Sequence, residues 1–244
     1  MQIKGDFKLK PKTFFKYNLI IITCLILIHT AVSLLYFYFE PISFLPFPIR
    51  LIDFYRYFDI GSEKNIPTAY QALMIFISSS SLFLLSYFEN TRRGKFYFKF
   101  LSFLFFYIGW DELFTLHEQF DKPFREILNT SGFFYHAWVI PYGILVLIIA
   151  LSLFNFIKTF PSRIRNIILL AGFIYVLGEL GFELLSANII SLSKYQTLTQ
   201  NQIIARYFFE LIEESFGLLG ILLFNYALLS LLKIKNATVQ IKFL

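Results

Sequence analysis

The sequence is short of charge. Only 16% of its 244 residues are Asp, Glu, Lys or Arg, where a soluble domain carries about a quarter. With 57% hydrophobic and 20% aromatic residues, a water-soluble fold of this length would expose too much apolar surface. Lipid is the expected solvent. Cysteine is nearly absent. Cys24 stands alone inside an apolar run, which excludes an intrachain disulfide and a cysteine metal cluster and leaves a small packing residue. Nucleic acid is excluded as a partner, because the basic residues behind the net charge of +6 lie between apolar runs and form no patch interleaved with polar residues. Familiar catalytic signatures are missing too. There is no G-x-S-x-G, no H-E-x-x-H, no phosphate-binding glycine loop and no mid-membrane lysine of the retinal type. Intramembrane hydrolases of the ceramidase type use several histidines, and here His29, His117 and His136 are scattered.

What is present is a succession of apolar runs. A membrane-spanning helix needs about 20 mostly apolar residues. Six stretches qualify, at roughly 17–38, 67–88, 96–118, 134–157, 164–190 and 204–232. The expectation is an all-α integral membrane bundle of six transmembrane helices, a single membrane domain over residues 1–244. No small-residue cleavage site follows the first run, which should stay as an anchor. An interfacial helix is expected between the first two spans, from Phe47 to Phe58, where bulky apolar residues mix with Arg50, Asp53 and Arg56. Asn65-Ile66-Pro67-Thr68 reads as a helix start, since proline's missing N–H is harmless in the first turn. Ser78 to Ser81 suit close helix packing in the second span.

Loop Lys and Arg residues set orientation. Of the 22, fifteen fall on the side that holds both termini and seven on the other. Both termini are therefore expected in the cytoplasm, with the chain in a bacterial inner (cytoplasmic) membrane.

Eight carboxylates fall inside three of these helices: Asp111, Glu112 and Glu118 in the third, Glu179 and Glu183 in the fifth, Glu210, Glu213 and Glu214 in the sixth. An Asp at the helix centre costs about 2.5–3.5 kcal/mol to insert. At about 100° per residue, Asp111, Thr115 and Glu118 share a face, as do Tyr175, Glu179, Glu183 and Ser186, and Arg206, Glu210, Glu214 and Gly217. His117 lies off the first of these faces. Such stripes must face one another or a wet cavity. Under the predicted topology all three lie in the outer leaflet, with Asp59 and Glu63 of the first loop near the entrance. Gly178, Gly181, Gly217 and Gly220 would let the backbones approach. Arg206 can neutralise Glu210 one turn on, and the remaining acids must be protonated, hydrated or bound to a cation.

Phe58-Asp59-Ile60 through Glu63, Asn65-Ile66-Pro67-Thr68, and Trp110-Asp111-Glu112 through Leu116-His117-Glu118 together resemble a pattern of uncharacterised bacterial multi-pass membrane proteins. In these an N-I-P-T loop precedes one span and a D-E…H-E motif ends a later one. The resemblance covers the first half of the chain. It implies a bacterial membrane protein and carries no activity or ligand.

Carboxylates with a histidine suit a hard or borderline divalent ion of unknown identity. The expected metal-ligand pool is Asp111, His117, Glu118, Glu179, Glu183, Glu210 and Glu214, with Glu112 and Glu213 as candidate catalytic residues. His136 reads as an interfacial aromatic-belt residue, at the right depth to be a fourth-helix ligand. His29, in the middle of the first run, reads as a helix–helix hydrogen bond and not as a ligand. Three functions are open: a membrane metalloprotein acting on a lipid-type substrate, a proton or cation transporter that relays through the same acids, and a structural or accessory subunit. The partners implied are the lipid bilayer and a lipid-type substrate or a cation.

Overall fold

The structure is a computed structural model that describes residues 6–7, 10–39, 51–235 and 239–240. Within these it is all-α apart from one two-residue ladder that pairs Asp6 with Gln240 and Phe7 with Val239. Helix α1 (Pro11–Phe39) precedes the short α2 (Leu51–Phe58), and α3 (Ile66–Tyr87) and α4 (Arg92–Phe114) form a hairpin. After α5 (Leu116–Leu128) and a 3-10 turn at Gly132–Phe134 comes α6 (Val139–Ile157). One rod then joins α7 (Ser162–Val176), a π-helical turn at Leu177–Phe182, and α8 (Glu183–Ser193). The last helix is α9 (Gln200–Ile234).

Five of these segments are long and apolar enough to cross a membrane: Pro11–Leu35, Ile66–Tyr87, Val139–Ile157, Ser162–Ser193 and Gln200–Ile234. The third expected run is not among them. Its helix α4 starts in Arg92, Arg93, Lys95 and Lys99 and ends in Asp111 and Glu112, which dilutes its apolar centre.

Two expected helix extents are corrected. The run at 96–118 does not continue to Glu118, because Thr115 takes the left-handed conformation (φ 53°, ψ 45°) and ends α4 at Phe114. The stretch 119–133, expected as a loop, is mostly α5. Leu116, Phe120, Phe124 and Ile127 recur there at helical spacing against Glu118, Asp121, Lys122 and Arg125, an amphipathic pattern too polar to register as a span. The fourth run begins at Val139 and not 134, after a turn led by Gly132 at φ 61°. Of the expected interfacial helix, Leu51–Phe58 is helical, and residues 47–50 lie outside the described residues. Cys24 is exposed on α1, so it fills no packing gap.

The core has two layers. Leu82, Leu85, Phe98, Ile168, Leu228 and Leu231 join α3, α4, α7 and α9 at one end. Ile22, Met74, Ile75, Leu218, Ile221 and Leu222 join α1, α3 and α9 further along. Polar side chains within this core bond to backbone. Ser79 Oγ donates to Ser102 O at 2.8 Å and Ser102 Oγ to Ser79 O at 2.9 Å, which stitches the α3–α4 hairpin. Asn225 Nδ2 donates to Met74 O at 2.8 Å. Glycines bring the rod against α9. A Cβ on Gly178 would sit 2.7 Å from Glu213 O, and one on Gly220 would sit 2.9 Å from the Tyr175 backbone. Helix α6 stands apart, with 6% of its apolar window buried against 56% for α3 and α9.

Candidate intramembrane acid site

The site is assembled from the loop before α3, the first turns of α3, the end of α4 and start of α5, the π turn, and the first half of α9. The loop is pinned before any acid is placed. Asn65 Nδ2 donates to Asp59 O (2.5 Å) and Ser62 O (2.6 Å), while its Oδ1 accepts the Thr68 N–H at 3.0 Å and caps α3. His29 Nδ1 accepts the Ile60 N–H at 3.0 Å and lies 3.6 Å from Asp59, so its partner is this loop and not the expected second helix. The pinned loop turns Glu63 inward. Burial pushes the Glu63 carboxyl up to about 7, against the pull of His117 and with added repulsion from Glu118, Asp111 and Glu183. Its Oε2 is buried without a hydrogen-bond partner.

Asp111 is buried in the last turn of α4. The left-handed Thr115 folds the chain back, so that Asp111 Oδ1 accepts the His117 N–H at 2.7 Å and stands 3.4 Å from its Nδ1. Burial alone would lower the imidazole value. The Asp111 hydrogen bond and charge, helped by Glu63 and Glu179, raise it instead.

Behind this pair, Gln71 of α3 reaches across to the rod. Its Nε2 donates to Glu179 Oε1 at 3.0 Å, and it also hydrogen-bonds Glu112. Gln71 is only 2% exposed, yet its Oε1 has no partner. Glu179 sits in the π turn; such turns inside helices recur at functional sites. Gly217 leaves room for it, since a Cβ there would overlap Glu179 Oε1 and press on Gln71 at 3.2 Å. Glu214 lies within electrostatic reach of Glu179, Glu112, Glu63 and Glu183, and Glu213 within reach of Glu183, Glu214 and Glu179. All five of Glu112, Glu179, Glu183, Glu213 and Glu214 are half-buried.

A second polar knot borders the first. Buried Asp121 of α5 pairs with Arg125, accepts the Ala137 N–H at 2.6 Å and lies 3.6 Å from His136 Nδ1. His136 is 3.9 Å from Glu183. Burial lowers the His136 value, more than Glu183 raises it. On α9, Arg206 Nε pairs with Glu210 Oε1 at 2.6 Å.

Asp111, His117, Glu112, Glu179, Glu183, Glu213 and Glu214 are therefore brought to one region. Glu118 is exposed on α5, beyond the break at Thr115, and within electrostatic reach of Glu63. Glu210 is close by, occupied by Arg206. Among the described residues, no three His, Cys, Asp or Glu side chains are gathered in the spacing of a ready-made metal site. Sequence reasoning missed Gln71, Asp121 and Tyr142, whereas it placed Tyr175 on the face of Glu179. Asp121 and Arg125 were visible as a one-turn acid–base pair, and Gln71 as the amide in an apolar span.

Comparison of the chain with curated proteins and with solved structures finds no match. A family model described as a domain of unknown function, DUF8692, matches residues 19–232, most of the chain's length, and the chain belongs to that family.

Proposed function

We propose that this protein is a membrane-embedded cation-binding protein whose acids take up a divalent ion, with catalysis on a lipid-type substrate as the use of that ion. The observation that carries it is an excess of acceptors. Gln71 Oε1 and Glu63 Oε2 are buried with no donor, amid Glu112, Glu179 and Glu214, and His117 is the base that stands among them. Such a group is held together by something positive. Asp111, His117, Glu179, Glu183 and Glu214 are the ligand pool, with Glu112 and Glu213 available to move protons. Glu118 joins from beyond the break at Thr115, and Glu210 only if Arg206 lets go. A second reading, proton uptake without a metal, is favoured by the lack of a ready-made three-ligand group among the described residues.

The topology we propose has six crossings, α4 being the sixth, with both termini cytoplasmic and the acids in the outer half. The Ser79–Ser102 exchange runs α4 back along α3. Residues near both ends meet in the Asp6–Gln240 ladder, which supports an even number of crossings. Reporter fusions after Leu244 and within 116–133 test this, and a periplasmic signal at the C-terminus would reverse it.

The cation is tested by sign. With a bound ion, Glu179→Gln and Glu214→Gln remove ligands, and the stabilisation that added Mg²⁺, Mn²⁺ or Zn²⁺ gives the wild type shrinks. With protons alone, no metal raises the melting temperature and both variants melt higher than wild type, because repulsion is relieved.

A further inference from the structure

A cavity of about 860 Å³ lies between α4, α6, the α7–α8 rod and α9. It exists because α6 stands off from the bundle. It runs along α6 from Tyr142 to Phe156, about 21 Å at 1.5 Å per residue. Its walls are aliphatic and Phe side chains with glycines, and its only polar groups are Tyr107, Tyr142 and Tyr175. Volume and make-up match small-molecule sites, which are mostly apolar with a few convergent polar groups. Apolar cavities do not hold water, so inside a membrane the stable content of this one is hydrocarbon.

The three tyrosines set the direction of that hydrocarbon, because all of them sit at the acid end. The Tyr107 and Tyr142 hydroxyls are 3.2 Å apart. Tyr142 interacts with Asp111, and Tyr175 with Glu179, Glu112 and Asp111. The tyrosines are thus the boundary between cavity and carboxylates. The sign of the head group follows from the same residues. Asp111, Glu112, Glu179 and Glu214 bring more acid than the adjacent His117 offsets, so an anionic head is repelled. A hydroxyl or carbonyl oxygen is accommodated by the tyrosine hydroxyls.

We propose that the cavity binds the alkyl chain of a single-chain, uncharged lipid, with its polar end delivered past Tyr142 to the Asp111–His117 pair. This names the substrate class for the acid site, and so rests on that site being the functional centre. Gly172 lines the cavity, and a Cβ there meets nothing within 4 Å. Gly172→Trp therefore places a bulky side chain across part of the space, and Gly172→Ala is the control.

The experiment is thermal melting of the full chain held in amphipol, with monopalmitoylglycerol or hexadecyl phosphate added. At about 100 times the dissociation constant, the glyceride should raise the wild-type and Gly172→Ala melting temperatures by roughly 5 °C or more. The phosphate should not. Gly172→Trp should melt like wild type without lipid and respond to the glyceride by less than half as much. Tyr142→Phe should weaken glyceride binding about tenfold, the loss of one hydrogen bond. An unresponsive wild type, a Gly172→Trp protein that responds like wild type, or phosphate acting as well as the glyceride would each overturn the proposal. Mn²⁺ is added in a parallel series. If Mn²⁺ stabilises wild type and Gly172→Trp alike while the lipid does nothing, only the lipid proposal falls. If the lipid acts and no metal does, only the divalent-ion reading falls.

Discussion

Gln71 Nε2 and Glu179 Oε1 meet at 3.0 Å across a gap of 108 residues in the chain, and Gly217 is the third party that lets them meet. The pair is the seam between α3, the π turn and α9. A methyl group on Gly217 would displace the mobile end of the Glu179 side chain, whereas one on Gly178 would strike the Glu213 carbonyl and Phe216 Cβ at 2.7 Å. The two substitutions should therefore separate site from fold. Gly178→Ala should lower stability by roughly 1–3 kcal/mol through forced backbone movement. Gly217→Ala should melt within a few degrees of wild type and alter the response to added cation. Melting with and without Mn²⁺ checks both, and equal loss of stability in the two variants would count against the site's being separable.

The Glu63 carboxyl gives a pH dependence of definite sign. Its folded value, about 7, lies above the ordinary value of 4.5, so the folded chain holds the proton more tightly than the unfolded one. That stability is fully present below about pH 4.5 and is lost as pH rises to about 7. The rise corresponds to roughly 3 kcal/mol at most. Wild type should thus lose stability from pH 4.5 to 7, and Glu63→Gln should flatten that slope. A variant with an unchanged pH profile would show that other acids carry it.

Glu89 behaves in the opposite way. Burial works against its charge, but hydrogen bonds from Lys235 and Thr91 hold its carboxyl at about 2. The Lys235 Nζ to Glu89 Oε2 distance is 2.9 Å, and Lys235 also reaches Phe88 O at 3.5 Å. This clasp ties the end of α9 to the α3–α4 turn. Its contribution is present above about pH 4.5 and is lost as pH falls through about 2. Lys235→Met should cost about 1 kcal/mol at pH 7, the scale of a partly exposed pair. The difference from wild type should vanish near pH 2.

Thr115 is a β-branched residue in the left-handed region, a conformation that costs roughly 1–2 kcal/mol outside glycine. Thr115→Gly should raise stability by about 1 kcal/mol, offset in part by the lost side chain. A loss larger than that, in chemical denaturation, would mean that the buried threonine contributes more than its backbone costs.

The membrane-helical class was legible because apolar runs of span length are a coarse signal. The acids stood out because charge in such runs is costly, and the Arg206–Glu210 pair followed from one-turn spacing. What spacing could not deliver were departures from regular pitch. Thr115 and the Leu177–Phe182 turn both break the 100° count, and a left-handed threonine carries no sequence mark as a glycine would. Angular reasoning carried Glu118 onto the Asp111 face, but the chain break falls between the two. His117, judged off that face, is returned to Asp111 by the same break. Gln71 and Asp121 went unnoticed because an amide raises no charge alarm and a short amphipathic helix resembles a loop in hydropathy.

The wide turn at Leu177–Phe182 makes the rod two half-helices aimed independently about one axis. Winding the same residues at regular pitch would rotate everything beyond by about 100°. Glu183, Ser186 and the approach to His136 would swing away, while Tyr175 and Ile168 stayed seated. The outward-pointing surface of α8 is thus free to change without re-aiming α7. The pitch of one turn, and not any side chain, decides which acids of this span look inward.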